Sequence, residues 1–174
     1  MNEPRITINY NNVRLSPHLA SPNEAALSHS NELDGVHLSP HFKLNEFLNL
    51  KKYPQNIPTM QVIVNLTYGC HLLLEPARVV AGPLIINSGF RNPEVNQRVG
   101  GVRTSQHLFG QAADIRPQDP SQFWNLVEFL KICEHTDQLL TGNGWLHISW
   151  NPLAPPRHYI RVGYYLSELS SSLT

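Results

Sequence analysis

Four polar side chains stand out by type and spacing: Arg91 in NSGFRNP, His107 and Asp114 in SQHLFGQAAD, and His147 in WLHISW. Two imidazoles and a carboxylate form a three-ligand set for Zn²⁺, with the fourth tetrahedral position left to water as in a catalytic site. Taken singly, each of the nine histidines reads as a surface or hydrogen-bonded core residue. The combination changes that weighing. Arg91 carries a planar fork that pairs with a carboxylate through two hydrogen bonds, which lysine does poorly.

His107 and Asp114 cannot face one ion from a single strand or short helix, so a turn must separate them. Gly110 supplies it, leaving His107 in a loop while Ala112 to Ile115 run as a strand, and Ala112 and Ala113 are small enough for close approach. In WLHISW the alternation puts Trp145, His147 and Ser149 on one face, opposite Leu146, Ile148 and Trp150. A neighbouring strand then brings His147 beside Asp114.

The supporting elements follow from periodicity and punctuation. LSPHFKLNEFLN predicts a short helix ended by the prolines of KKYPQNIP. MQVIVNLTYGCHLLLEPARVVAG keeps a 3.6 period up to Gly82-Pro83 and predicts the longest helix, with a kink at Pro76. PLIINSG reads as a strand and NPEVNQRVGG as a helix from Pro93 to the Gly100-Gly101 stop. QAADIR reads as a strand, and Asp119-Pro120 open the amphipathic helix SQFWNLVEFLKICEH. TDQLL, WLHISW and HYIRVGYYL close the chain as short strands of an antiparallel sheet. Helices first and strands late make the fold class α+β: a single compact domain, with a small, mostly antiparallel sheet and helices packed on one side. We expect an arm over residues 1–35, where RITINYNNVRL offers one alternating stretch, a domain over 36–166 and a tail over 167–174.

Length and composition bound the rest. With 174 residues the chain can bury a core without an oligomer, so we expect a monomer. Thirteen basic against thirteen acidic residues give no net charge, which argues against nucleic acid or an anionic membrane as partner. Cys70 and Cys133, 63 positions apart in apolar runs, are expected as buried free thiols. The N-terminus lacks the apolar stretch of a signal peptide, so the expectation is synthesis and solubility in a cytoplasm.

From LSPHFKLNEF through EPARVVAGPLIINSGFRNPEVNQRVGG and TSQHLFGQAADIR to DQLLTGNGWLHISW, the sequence resembles the zinc D-Ala-D-Ala carboxypeptidases and their phage endolysin and murein endopeptidase relatives. Ser-x-His-x6-Asp with its internal glycine, preceded by Ser-Gly-aromatic-Arg and followed by Trp-x-His, carries the resemblance across about two-thirds of the chain. It implies His107, Asp114 and His147 as zinc ligands and Arg91 as holder of the substrate carboxylate or developing oxyanion. It implies a place for Ser105 in the substrate pocket. The implied reaction is cleavage of an amide in the peptidoglycan stem peptide, as carboxypeptidase or endopeptidase, by a phage or prophage product that reaches the cell wall after release or within a virion.

The sequence departs from that family at the glutamate that takes the reaction proton. Where family members carry it, this chain has Gly144, or the segment Thr141-Gly142-Asn143. Glu134, Asp137 and His135 are the substitutes to examine, and loss of a positioned base costs ~10²–10⁴ in rate. The rival reading is a zinc-binding structural or wall-binding module that has lost hydrolysis. Tyr159, Tyr164, Tyr165 and Trp150 could line a groove, although aromatics in terminal strands more often finish a core. His41 reads as packing or capping.

Overall fold

The computed structural model describes Leu33 and residues 35–163. The expected strand in the arm, the tail, and Tyr164 with Tyr165 lie outside the described residues.

The longest helical stretch is continuous from Met60 to Ala81. It comprises α1 (Met60–Gly69), a π turn over Cys70–Leu74, and α2 (Glu75–Ala81). Thr59 caps its start by accepting a hydrogen bond from the Val62 amide. The sequence predicts a kink at Pro76; the accommodation observed is the π turn just before it, with the Glu75 amide donating to the Cys70 carbonyl. A proline ring crowds the preceding turn and has no N–H to give, and widening that turn relieves both problems.

The sheet order is β1 (Leu84–Ser88), β2 (Ala112–Pro117), β4 (Leu146–Ser149), β3 (Gln138–Thr141) and β5 (Tyr159–Arg161). Neighbours are antiparallel except β3 and β5, which run parallel. The α+β reading holds, and β5 corrects the all-antiparallel expectation for the last strands. The loop between β4 and β5 carries the chain back along the sheet so that β5 enters beside β3 in the same direction. Strand alternation says which face a residue takes but not which neighbour its strand chooses.

Between β1 and β2 lie α3 (Pro93–Arg98) and a 3₁₀ turn over Gln106–Phe109. Asn92 caps α3, and Gly100, in the left-handed region, follows its end. Between β2 and β3, Asp119 accepts from the Ser121 amide and opens a 3₁₀ turn (Pro120–Gln122) that runs into α4 (Phe123–Ile132). The predicted short helix of LNEF is likewise a single 3₁₀ turn, Leu44–Phe47.

Alternation sorts the two sheet faces. Ala113, Ile115, Leu139, Leu146 and Ile148 join a buried core with Leu66, Leu73, Leu74 and Ala77 of the long helix and Leu126 and Leu130 of α4. Trp150 is fully buried there, its indole N–H donating to the Asn65 carbonyl at 2.8 Å. Both cysteines are free thiols; Cys70 is buried, whereas Cys133 is only half-buried. Among the described residues no helix is long and apolar enough to cross a membrane.

Candidate metal centre

Antiparallel pairing of β2 with β4 sets Asp114 directly opposite His147 on the face away from the core. Facing residues in such a pair lie on the same side of the sheet. His147 Nδ1 is 2.9 Å from Asp114 Oδ1. His107 arrives from the 3₁₀ turn, which ends at Gly110 with φ +66°. A side chain at Gly110 would also meet the Val62 carbonyl at 2.7 Å, so both backbone sign and space demand glycine, as expected from the sequence.

His107 Nε2 lies 3.3 Å from Asp114 Oδ1 and 3.3 Å from His147 Nδ1. Its other ring nitrogen, Nδ1, is 2.6 Å from the Gly89 carbonyl. A carbonyl can only accept, so Nδ1 carries a hydrogen and Nε2 is the ring atom aimed at Asp114 and His147, the atom that would face a cation. Gly89 is held firmly: an added Cβ would come within 2.7 Å of the Phe47 backbone. Two peptide links join the same neighbourhood, since the Arg91 amide donates to the His107 carbonyl and Ser88 pairs with Asp114 across a bulge in β1.

Asp114 is about 15% exposed at its side chain. Burial alone pushes its carboxyl upward, but hydrogen bonds from His107 and His147 outweigh that and hold it well below the usual carboxylate range. Its second oxygen, Oδ2, accepts from Arg91 Nη2 at 2.5 Å, while Arg91 Nε donates to Ser88 Oγ at 2.9 Å. Arg91 therefore grips the sheet carboxylate, a contact that its sequence position did not reveal. One carboxylate oxygen is left facing the two imidazole nitrogens.

The donor set suits zinc. Bonds of about 2.0–2.2 Å to nitrogen and oxygen put the corners of a tetrahedron about 3.3–3.5 Å apart. Two of the three separations here are 3.3 Å, and the third, 2.9 Å, is the length of a hydrogen bond whose proton a cation would replace. All three ligating atoms lie within 4.8 Å of one another, and among the described residues no further His, Cys, Asp or Glu joins the group.

None of the substitutes for the missing glutamate joins the ligand group. Asp137 is fully buried and bound by Arg157 through its backbone amide, Nε and Nη2, by Gln106 Nε2 and by Ser149 Oγ. Burial raises its pKa, but the hydrogen bonds and charge of Arg157 together with the Gln106 hydrogen bond outweigh that and hold it at about 2. Glu134 is almost fully exposed, 3.7 Å from His135, and the His135 ring packs edge-on against Tyr68. At Gly142 an added Cβ would lie 2.1 Å from the Trp145 indole, so that ring fills the space into which a side chain at 142 would grow. Thr141 sits on the sheet face of Leu146, opposite to that of His147, and exchanges hydrogen bonds with the Gly163 backbone.

Ser105 lies just before the 3₁₀ turn, its carbonyl accepting from the Leu108 amide. His41 uses its amide and its ring to bind Glu75 in the first turn of α2. Tyr159 is half exposed on β5, whereas Trp150 belongs to the core.

An Asp and a His from neighbouring strands and a His from a 3₁₀ turn, held by a carbonyl and a guanidinium, define a candidate metallopeptidase centre. The sequence profile of one family, described as Peptidase M15, matches residues 40–149. That is well over half of the chain, which belongs to this family of zinc D-Ala-D-Ala carboxypeptidases. No curated protein matches the sequence.

Proposed function

We propose that this protein is a zinc-dependent peptidase that hydrolyses an amide bond in the peptidoglycan stem peptide, next to a D-Ala residue. The observation that carries the proposal is the meeting of His107 Nε2, His147 Nδ1 and Asp114 Oδ1 within 3.3 Å of one another, two of the three separations being those a tetrahedral ion would impose. Zinc bound there supplies Lewis acidity to a carbonyl and to water. His107 and His147 present neutral lone pairs, and Asp114 contributes the compensating charge. Arg91 keeps Asp114 oriented and offers its remaining N–H groups to the substrate's anionic end. Ser105 contributes to the substrate pocket. As a phage or prophage product, the protein would meet its substrate at the cell wall.

Hydrolysis also needs a proton acceptor. With Asp137 bound to Arg157 and Trp145 packed over Gly142, turnover is expected to be ~10²–10⁴ slower than with a positioned base. The Trp145 contact favours a second reading, a zinc-binding wall module without hydrolysis.

The deciding assay incubates the zinc-loaded protein with purified peptidoglycan and with a peptide ending in D-Ala-D-Ala, and measures released amine. Release abolished by His107→Ala supports the peptidase. Zinc binding without release supports the wall module instead.

A further inference from the structure

Beside the metal centre lies a pocket of about 280 Å³ bounded by the loop after the Leu44–Phe47 turn, the end of β1 and α3. It shares Ser88, Gly89 and Arg91 with the centre, the residues that hold Asp114 and His107. Its lining includes the cations Lys52 and Arg91 and the exposed amides of Asn49 and Asn87, but no carboxylate. Tyr53 and Val95 supply apolar wall.

The two cations are in different situations. Arg91 is engaged by Asp114 and Ser88. Lys52 makes no ion pair among the described residues; its ammonium lies 5.2 Å from the centre of the Tyr53 ring. A cation over an aromatic face keeps its hydrogen-bond donors available while its position is restricted. A pocket at the lower edge of the size range of ligand sites suits the end of a peptide better than a long segment.

We propose that Lys52 is a specificity-determining residue that binds a carboxylate of the substrate peptide in this pocket, with Asn49 and Asn87 as secondary donors. The inference rests on the peptide-binding half of the function proposed above, without needing hydrolysis. The carboxylate could be the peptide's terminus or one borne on a side chain, and the two are separable by experiment.

The probes are N-acetyl-Lys-D-Ala-D-Ala as free acid, the same peptide as C-terminal amide, and that amide with Lys replaced by Glu. Dissociation constants are measured by calorimetry with the zinc-supplemented full chain. One hydrogen-bonded charge pair predicts that a carboxylate-bearing peptide binds about tenfold or more tighter than the neutral-ended amide. Preference for the free acid identifies the terminus; preference for the Glu amide identifies a side chain. Lys52→Gln should remove most of the preference, leaving the share that Arg91 supplies, and Lys52→Arg should keep it. Equal affinities for the three peptides, no binding of any, or a preference that survives Lys52→Gln undiminished would overturn the proposal. Preference without amine release would overturn the peptidase reading alone, and release without a Lys52-dependent preference this one alone.

Discussion

Asp114 divides its work between two oxygens, Oδ1 toward the imidazoles and Oδ2 toward Arg91. Removing the guanidinium frees the carboxylate to rotate. Partners of that kind are worth 10–100-fold in metal affinity, so Arg91→Ala should weaken zinc binding by about that factor, read by competition with a chromophoric chelator. An unchanged affinity would show that Arg91 serves substrate alone. The residue types of this centre were legible in the sequence because so few side chains bind zinc. The Arg91–Asp114 pairing was not, since it depends on a bulge between Ile86 and Ser88 that no local pattern announces. Asp137 offers a separate residue-level test. Its carboxyl falls from an ordinary 3.8 to about 2 on folding, so its stabilising effect is complete above about pH 4 and disappears as pH falls toward 2. Asp137→Asn should therefore be less stable than the parent at pH 6, with the gap closing between pH 4 and 2 in denaturant titrations. Parallel curves would contradict the assignment.

At the level of elements, the long helix and the sheet meet where Trp150 lies against Gly69, and an added Cβ there would sit 2.1 Å from the indole. Helix propensity alone favours Gly69→Ala by up to about 1 kcal/mol, while forcing a fully buried tryptophan aside costs about 1–3 kcal/mol. Packing should win, giving a net loss of about 1 kcal/mol by chemical denaturation; a gain would mean that Trp150 moves freely. The proline and glycine punctuation made β1, β2, α3 and α4 readable. Pro76 announced a disturbance but not its form, because a kink and a π turn both answer a missing N–H. The pairing of β5 with β3 was hidden because it depends on how the proline-rich loop after Trp150 returns, and tertiary contacts decide that.

For the whole molecule, the metal should act as a ligand of the folded state alone, since three positions distant along the chain converge only on folding. Zinc at 100 times its dissociation constant should add about 2.7 kcal/mol to the unfolding free energy, moving the thermal midpoint by roughly 5–10 °C in a chain of this size. The same addition should leave His107→Ala unmoved. The neutral balance of charge directed attention to a confined site rather than a charged surface, but composition carried no information about which carboxylates the fold would spend on ion pairs. The most direct test of the account is a zinc titration of the purified, metal-stripped full chain, read by calorimetry and checked by elemental analysis. The account predicts one zinc per chain, lost when His107, Asp114 or His147 is separately replaced by alanine. A chain that binds no zinc, or whose binding survives these replacements, would contradict it.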